Sequence, residues 1–112
     1  MKPDFKKYIQ NHVVLADGAL GSSLYEKGAE RGRNLDLLNV QAAELVFSVH
    51  EEYIRAGSQV ITTNTFGANA FKLHEYGAED QVREINKVGA EIAVKAAGHQ
   101  VYVAGSVGPT GP

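Results

Sequence analysis

The chain has no cysteine and no long apolar run. Without cysteine it can form no disulfide and can supply neither a thiolate metal ligand nor a cysteine nucleophile. No stretch approaches the ~18 apolar residues that a membrane-spanning helix requires. The first five residues, MKPDF, also lack the apolar core of a secretory signal. We therefore expect a cytoplasmic protein that has no membrane partner.

A strong excess of either charge is also missing. The net charge is −2 over 112 residues, so no basic surface of the kind that binds nucleic acid is predicted. Apolar residues make up 44% of the chain and charged residues 21%, which is the usual balance of a globular domain with a core. No low-complexity or proline-rich stretch marks a boundary. One domain over residues 1–112 is predicted.

Continuous apolar stretches alternate along the chain with segments whose apolar residues recur with helical periodicity. Non-alternating apolar runs predict strands over residues 12–16, 59–63 and 99–104, the first of them fully buried. Stripes with helical periodicity lie between them, over residues 41–56 and 80–97. Because no hairpin signal joins consecutive strands, this order predicts parallel strands connected by right-handed crossovers.

Shorter elements and helix ends can also be located. Short helices are predicted near residues 22–27 and 69–76. Gly57 and Gly77 each follow a predicted helix, where a residue with positive φ commonly ends it. The side chain of Asp80 is expected to cap the start of the helix that follows it.

Two architectures have this alternation, an open doubly wound sheet and a (β/α)8 barrel. Residues 17–22, DGALGS, do not match the G-x-G-x-x-G pattern of dinucleotide-binding sheets. The strand spacing suits barrel units that carry loop insertions. A complete barrel needs about 250 residues, so this chain would supply about the first three βα units of one. The predicted fold class is therefore α/β, the N-terminal portion of a TIM barrel, truncated after its third strand.

Every predicted strand runs into a polar segment that contains glycine. These segments are residues 17–22 (DGALGS), 62–67 (TTNTFG) and 105–111 (GSVGPTG). Parallel strands place their C-terminal ends along one rim, where α/β proteins bind ligands. The sequence therefore predicts a binding site assembled from successive strand ends.

The first strand end combines a carboxylate with backbone N–H groups that small residues leave accessible. Asp17 could hold an ammonium group through a charge-assisted hydrogen bond, or it could serve as a turn or capping residue. The backbone N–H groups of Gly18, Ala19 and Gly21 could approach a carboxylate, or they could only form a tight turn. From the residues alone, both alternatives stay open.

The second and third strand ends carry amide and hydroxyl groups. Asn64 and Thr65 could face the rim with their side chains, or they could close a local turn. Ser106 occupies the equivalent place after the third strand. The G-x-x-G-x-x-G spacing of residues 105–111 could instead cradle a phosphate, a signal of low specificity because glycine has many uses in loops.

The remaining chemistry-bearing residues are interpreted as structural. Tyr53, Phe66 and Phe71 are expected to pack in the interior. The four histidines form neither an i, i+4 pair nor an H-x-H unit, so no metal site is predicted, and no catalytic residue either. The helix carboxylates are expected to face solvent: Glu51, Glu52, Glu79 and Glu84.

The strand-end motifs resemble the homocysteine S-methyltransferase family. Residues 17–22 are similar to the D-G-A-M-G-T start of that domain. The same order of motifs continues with residues 50–58 (HEEYIRAGS), 61–66 (ITTNTF) and 104–111 (AGSVGPTG). The resemblance covers nearly all of residues 12–111.

This resemblance implies a barrel that binds homocysteine at its C-terminal rim and methylates the thiol to give methionine. In the family, a zinc ion held by three cysteines favours the thiolate, and a folate, a cobalamin or a sulfonium compound donates the methyl group. None of those cysteines is present here, so the resemblance implies a homocysteine-binding part that is inactive alone. The substrate-binding residues it implies are Asp17, Gly18, Ala19, Asn64, Thr65 and Ser106.

An alternative from a different class is a non-catalytic βαβαβ module for binding or assembly. A small parallel sheet leaves two open edges, which favours self-association.

Overall fold

The computed structural model describes residues 2–110, and within them it contains six α-helices and two β-strands. The strands are β1 (Val60–Thr62) and β2 (Tyr102–Ala104). Two 3-10 helices, Leu35–Leu37 and Glu79–Gln81, lead into α3 and α6. The last glycine of the 105–111 spacing lies outside the described residues. The α-helices in chain order are α1 (Phe5–Asn11), α2 (Leu20–Glu26), α3 (Leu38–Gln41), α4 (Ala43–Arg55), α5 (Ala70–His74) and α6 (Val82–Ala97).

The sheet is parallel, as predicted. β1 pairs with β2 in a register that sets Val60 opposite Tyr102. On the other side of β1, Ala16 forms a single parallel bridge with Val60, and the Asp17 N–H donates to the Val60 carbonyl at 3.0 Å. The three predicted strand segments are thus neighbours in chain order, as consecutive βα units require.

The prediction of a fully buried strand over residues 12–16 is wrong. The segment is reduced to the bridge at Ala16, and Val13 and Leu15 are 97% and 55% exposed. Among the described residues, this segment pairs with β1 on one side, so the opposite edge of the segment faces solvent. An apolar run therefore indicated a strand position correctly but overestimated its burial.

The two long helices bury the stripes that their periodicity predicts. Val46 and Val49 of α4 are fully buried and pack with Leu24 of α2 and Ile92 of α6. Ala93 and Ala97 of α6 lie against the strand residue Ile61 and against Val101. Both helices therefore cover the sheet and each other, which fixes the strand ends beside them.

The helix-end predictions had mixed outcomes. Gly57 and Gly77 adopt φ values of +112° and +69°, so their prediction is confirmed. The capping prediction for Asp80 is wrong, because this residue lies within a 3-10 helix and α6 begins at Val82. Gln81 donates its N–H to the Ala78 carbonyl at 2.9 Å, so the chain is already turned before α6 starts.

Two aromatic residues do not pack as predicted. Phe66 and Phe71 are 62% and 68% exposed, whereas Tyr53 is partly buried. On α5, Leu73 is fully buried, and Phe71, two residues earlier, falls on nearly the opposite side of the helix. Phe66 lies in the turn after β1, at the edge of a cavity. Within residues 2–110, no helix is long and apolar enough to cross a membrane.

Candidate functional site

A cavity of about 460 Å³ opens where the strand segments end. Its wall combines Gly18 and Gly21 with residues 62–67, which begin at the last residue of β1, and with Ser106 after β2. The loop at residues 33–36 closes another side. The predicted convergence of polar strand ends on one site is therefore present in the structure.

Four of the six predicted substrate-binding residues line this cavity. They are Gly18, Asn64, Thr65 and Ser106. Asp17 and Ala19 lie in the same turn as Gly18 but are not part of the cavity wall. The structure thus brings together residues from all three strand ends and leaves Asp17 beside the cavity.

Asp17 joins the first strand segment to β1 through its side chain. The Thr62 N–H donates to Oδ2 of Asp17 at 2.9 Å, and the Thr62 hydroxyl donates to Oδ1 at 2.9 Å. The Asp17 residue is half-buried. A carboxylate has about four lone-pair positions, so these bonds orient the group while leaving capacity for a further donor.

The turn after Asp17 packs against helix α4. The Tyr53 hydroxyl donates to the Ala19 carbonyl at 2.7 Å, and the Ser23 hydroxyl donates to the same carbonyl at 3.2 Å. A Cβ atom at Gly18 would lie 3.0 Å from the Tyr53 hydroxyl oxygen. The absence of a side chain at Gly18 therefore allows the turn to approach the helix.

Asn64 uses its side chain inside the protein. Its amide donates to the Leu35 carbonyl and to Oδ1 of Asn39, both at 3.0 Å. In return, the fully buried Asn39 donates to the Asn64 carbonyl at 2.7 Å and to the Ile85 carbonyl at 3.2 Å. These bonds tie the end of β1 to the 33–36 loop and to α6, so they hold the cavity wall in shape.

A ring of hydrogen bonds joins the second and third strand ends. The Ser106 N–H donates to Oγ1 of Thr63 at 3.0 Å, and the Thr65 hydroxyl donates to the Ser106 carbonyl at 2.7 Å. The two threonine hydroxyls lie 2.7 Å apart and close the ring. Ser106 takes part in this ring through its backbone, and the residue also lines the cavity.

The loop after β2 also touches the loop after β1 directly. A Cβ atom at Gly108 would overlap the carbonyl oxygen of Phe66. Glycine at this position is therefore required for the close approach of the two loops.

Asp36 and Asn34 belong to the site and were not predicted. Oδ2 of Asp36 accepts the Gly67 N–H at 3.0 Å, and the Asn34 side chain donates to the Gly67 carbonyl at 3.3 Å. Burial raises the pKa of Asp36 to about 6, against the opposing effect of the Gly67 hydrogen bond. The Asp36 N–H donates to the Asn34 side chain at 2.9 Å. An Asn-x-Asp sequence in a glycine-rich loop is typical of such a turn, and that signal could have identified it.

His50 on α4 is fully buried beside this region. Neither of its ring nitrogens has a hydrogen-bond partner in the part of the chain that the structure describes. Burial lowers the pKa of His50, and the negative charge of Asp17 acts in the opposite direction. The imidazole is therefore held neutral behind the first strand end.

The described residues do not fit a zinc site. No group of three histidine, cysteine, aspartate or glutamate side chains within residues 2–110 could hold a metal ion. The zinc that the family resemblance implies therefore has no ligand set in this part of the chain. What these residues offer is hydrogen-bonding groups and a carboxylate around a cavity.

Comparison with known sequences identifies similar proteins. A family model described as homocysteine S-methyltransferase matches residues 14–112. The methionine synthase of Mycobacterium leprae (strain TN) is 32% identical over an alignment 120 residues long, which covers 95% of this chain and 10% of that protein. The methionine synthase of Mycobacterium tuberculosis (strain ATCC 25618 / H37Rv) is 31% identical, with the same coverage. The chain thus spans about a tenth of the length of these relatives.

Solved structures give a similar result. The metallated form of the homocysteine methyltransferase MmuM from Escherichia coli superposes with a TM-score of 0.79 and 30% sequence identity. The alignment covers 93% of this chain and 41% of that structure. The oxidized form of the same protein gives a TM-score of 0.80 at the same identity.

Proposed function

Because the chain belongs to the homocysteine S-methyltransferase family, we propose that it forms the homocysteine-binding part of a zinc-dependent methyltransferase domain that makes methionine. The observation that carries this proposal is the cavity shared by the three strand ends. In the proposal, the parallel segments form about the first three βα units of a (β/α)8 barrel, with the cavity at its C-terminal rim. The similarity to MmuM over 93% of the chain supports that arrangement.

Each predicted binding residue has a role in this proposal. Asp17, oriented by Thr62, binds the ammonium group of homocysteine through a charge-assisted hydrogen bond. The backbone of Gly18 and Ala19 allows the amino acid to approach closely. Asn64 and Thr65 shape the wall, and the Ser106 hydroxyl is available to the ligand.

The chemistry of the thiol lies outside these residues. A free thiol is mostly protonated at neutral pH, and the thiolate is the nucleophile in methyl transfer. Since the described residues hold no ligand set for zinc, this chain binds and orients the amino acid rather than activating its thiol. The methyl donor, a folate, a cobalamin or a sulfonium compound, would likewise bind to other parts of the domain.

Homocysteine titration followed by NMR tests the proposal. Adding homocysteine to the isotopically labelled chain is expected to shift the amide signals of residues 17–19, 64–65 and 106. Loss of a hydrogen bond to a charged group costs about 1.5–3 kcal/mol, so Asp17→Asn should weaken binding by roughly ten- to a hundredfold. Asp80→Asn is the matched control, because Asp80 is exposed and is not one of the residues that line the cavity. Equal affinity of both variants, or shifts confined to other residues, would contradict the proposal.

A turnover assay tests the second part of the proposal. The 112-residue chain, supplied with zinc and each class of methyl donor, is expected to produce no methionine. Methionine formation above the background without protein would show that the chain activates the thiol itself.

Self-association is a second candidate function, favoured by one observation. Val13 and Leu15 are exposed on the edge of the sheet segment that precedes α2. An exposed apolar edge can pair with a second copy of the chain. Sedimentation over a range of concentrations should then show oligomers, and Val13→Lys should reduce them. A chain that stays monomeric at all concentrations would exclude this candidate.

A further inference from the structure

Helix α4 contacts the turn at residues 17–19 through Tyr53. The 2.7 Å hydrogen bond from the Tyr53 hydroxyl to the Ala19 carbonyl joins residues that are far apart in sequence. The same hydroxyl lies 3.3 Å from the hydroxyl of Ser23 on α2. One side chain thus connects the turn, the helix that follows it and the helix that packs behind it.

The packing at Gly18 strengthens this connection. A Cβ atom there would lie 3.0 Å from the Tyr53 hydroxyl oxygen and 3.3 Å from its ring atom Cε1. A side chain at Gly18 would therefore require the tyrosine to shift by a few tenths of an ångström, so the turn and the ring are in close contact.

His50 extends the same face of α4 toward Asp17. It lies three residues before Tyr53, which is about one helical turn, and its pKa responds to the charge of Asp17. Because the imidazole is buried and neutral, it does not compensate the Asp17 carboxylate. The negative charge of Asp17 stays available to a cationic ligand.

We propose that Tyr53 is a positioning residue for substrate binding, which fixes the turn at residues 17–19 so that the Asp17 carboxylate meets the ammonium group of the amino acid. The inference rests on the proposed homocysteine-binding function. Two hydroxyl donors hold the Ala19 carbonyl, so the peptide plane after Ala19 has one orientation. The Thr62 bonds orient the Asp17 carboxylate, and the held turn keeps the backbone after Asp17 in place.

The test compares Tyr53→Phe with Tyr76→Phe in the 112-residue chain. Both variants lose one hydroxyl group, but Tyr76 is 43% exposed and follows α5 in the chain. The dissociation constant for homocysteine is measured by NMR titration, and the melting temperature by circular dichroism. We expect Tyr53→Phe to bind homocysteine roughly three- to tenfold more weakly, as the loss of one hydrogen bond that orders the site implies, and Tyr76→Phe to bind as the parent does.

The outcomes separate this inference from the proposed function. A parent chain that does not bind homocysteine overturns the proposed function, and the positioning role with it. A parent that binds, together with a Tyr53→Phe variant that binds equally well, overturns the positioning role alone. A lower melting temperature with unchanged affinity also overturns it, because a merely structural tyrosine would behave in that way.

A second variant keeps the test decisive if Tyr53→Phe does not fold. Ser23→Ala removes the other donor to the Ala19 carbonyl and places a good helix former in α2. Binding about two- to threefold weaker than the parent's supports the positioning of the turn by hydroxyl donors. Binding equal to the parent's overturns it.

Discussion

Replacing Asp36 with asparagine should change how the stability of the chain depends on pH. In the folded chain, burial raises the pKa of Asp36 from 3.8 to about 6, so the folded state binds a proton there more tightly than the unfolded state does. The free energy of unfolding contributed by this group therefore falls as the pH rises from about 4 to about 6, and it stays low above that range. Asparagine has no proton to lose and removes this dependence.

The size of the effect follows from the pKa. A tenfold change in proton affinity corresponds to about 1.4 kcal/mol. The rise of the Asp36 pKa to about 6 therefore lowers the free energy of unfolding of the parent by up to about 3 kcal/mol at neutral pH, relative to a pH at which Asp36 is protonated in both states. The effect of the Gly67 hydrogen bond is already included in this pKa, because that bond is one of the causes that set it. We expect Asp36→Asn to be more stable than the parent by about 2–3 kcal/mol at pH 7.5, and within about 1 kcal/mol of it near pH 4.

Thermal unfolding followed by circular dichroism between pH 4 and pH 8 measures this difference. For a chain of this size, about 1 kcal/mol moves the melting temperature by roughly 4–8 °C. Asp80→Asn, which makes the same substitution at an exposed aspartate, is the control. A constant offset between Asp36→Asn and the parent across the whole pH range would refute the reasoning, as would a less stable variant at pH 7.5.

Three further predictions concern the buried residues around the cavity. Asn39→Ala leaves the Asn64 carbonyl without its 2.7 Å hydrogen bond and should lower the free energy of unfolding by about 3 kcal/mol; a loss below about 1 kcal/mol in urea titration would contradict it. Gly89→Ala would place a Cβ atom 2.6 Å from Nδ2 of Asn39 and 2.8 Å from Cγ2 of Thr65. We therefore expect this variant to be less stable than the parent by about 1–3 kcal/mol. A variant as stable as the parent in the same urea titration would argue against that packing. His50→Leu removes two buried nitrogens that have no partner within residues 2–110 and should leave the chain as stable or about 1 kcal/mol more so. Because the pKa of His50 is lowered in the folded chain, the unfolded state binds the His50 proton more tightly, and the parent loses stability as the pH falls below 6.5. The stability gained by His50→Leu should therefore be larger at pH 5 than at pH 7.5. An equal gain at both pH values would contradict this reasoning.

Local pattern was enough to predict the main elements of the fold. The helical stripe that includes Val46 and Val49 and the glycines at positions 57 and 77 are local signals, and the structure confirms them. The burial of residues 12–16 could not be read from their apolar character, because burial depends on which segments pair on each side. For the same reason, Phe66 and Phe71 looked like core residues although they are exposed.

The part of the candidate site that the strand ends form could be predicted from the sequence. The part that the 33–36 loop forms could not. The family membership suggested by the strand-end motifs is confirmed. Gly18, Asn64, Thr65 and Ser106 line the cavity, while their role as substrate ligands stays a prediction. The 33–36 loop joins the site through contacts across about thirty residues of sequence, such as Asp36 with Gly67, and no local pattern encodes such a pairing.

The contact between Gly108 and the Phe66 carbonyl has a consequence for anyone who wishes to redesign this rim. The two loops fit each other, so a loop transplanted from a relative would have to be transplanted together with the loop that it contacts. Because the overlap is with a backbone carbonyl, a substitution at position 66 alone would not make room for a side chain at position 108.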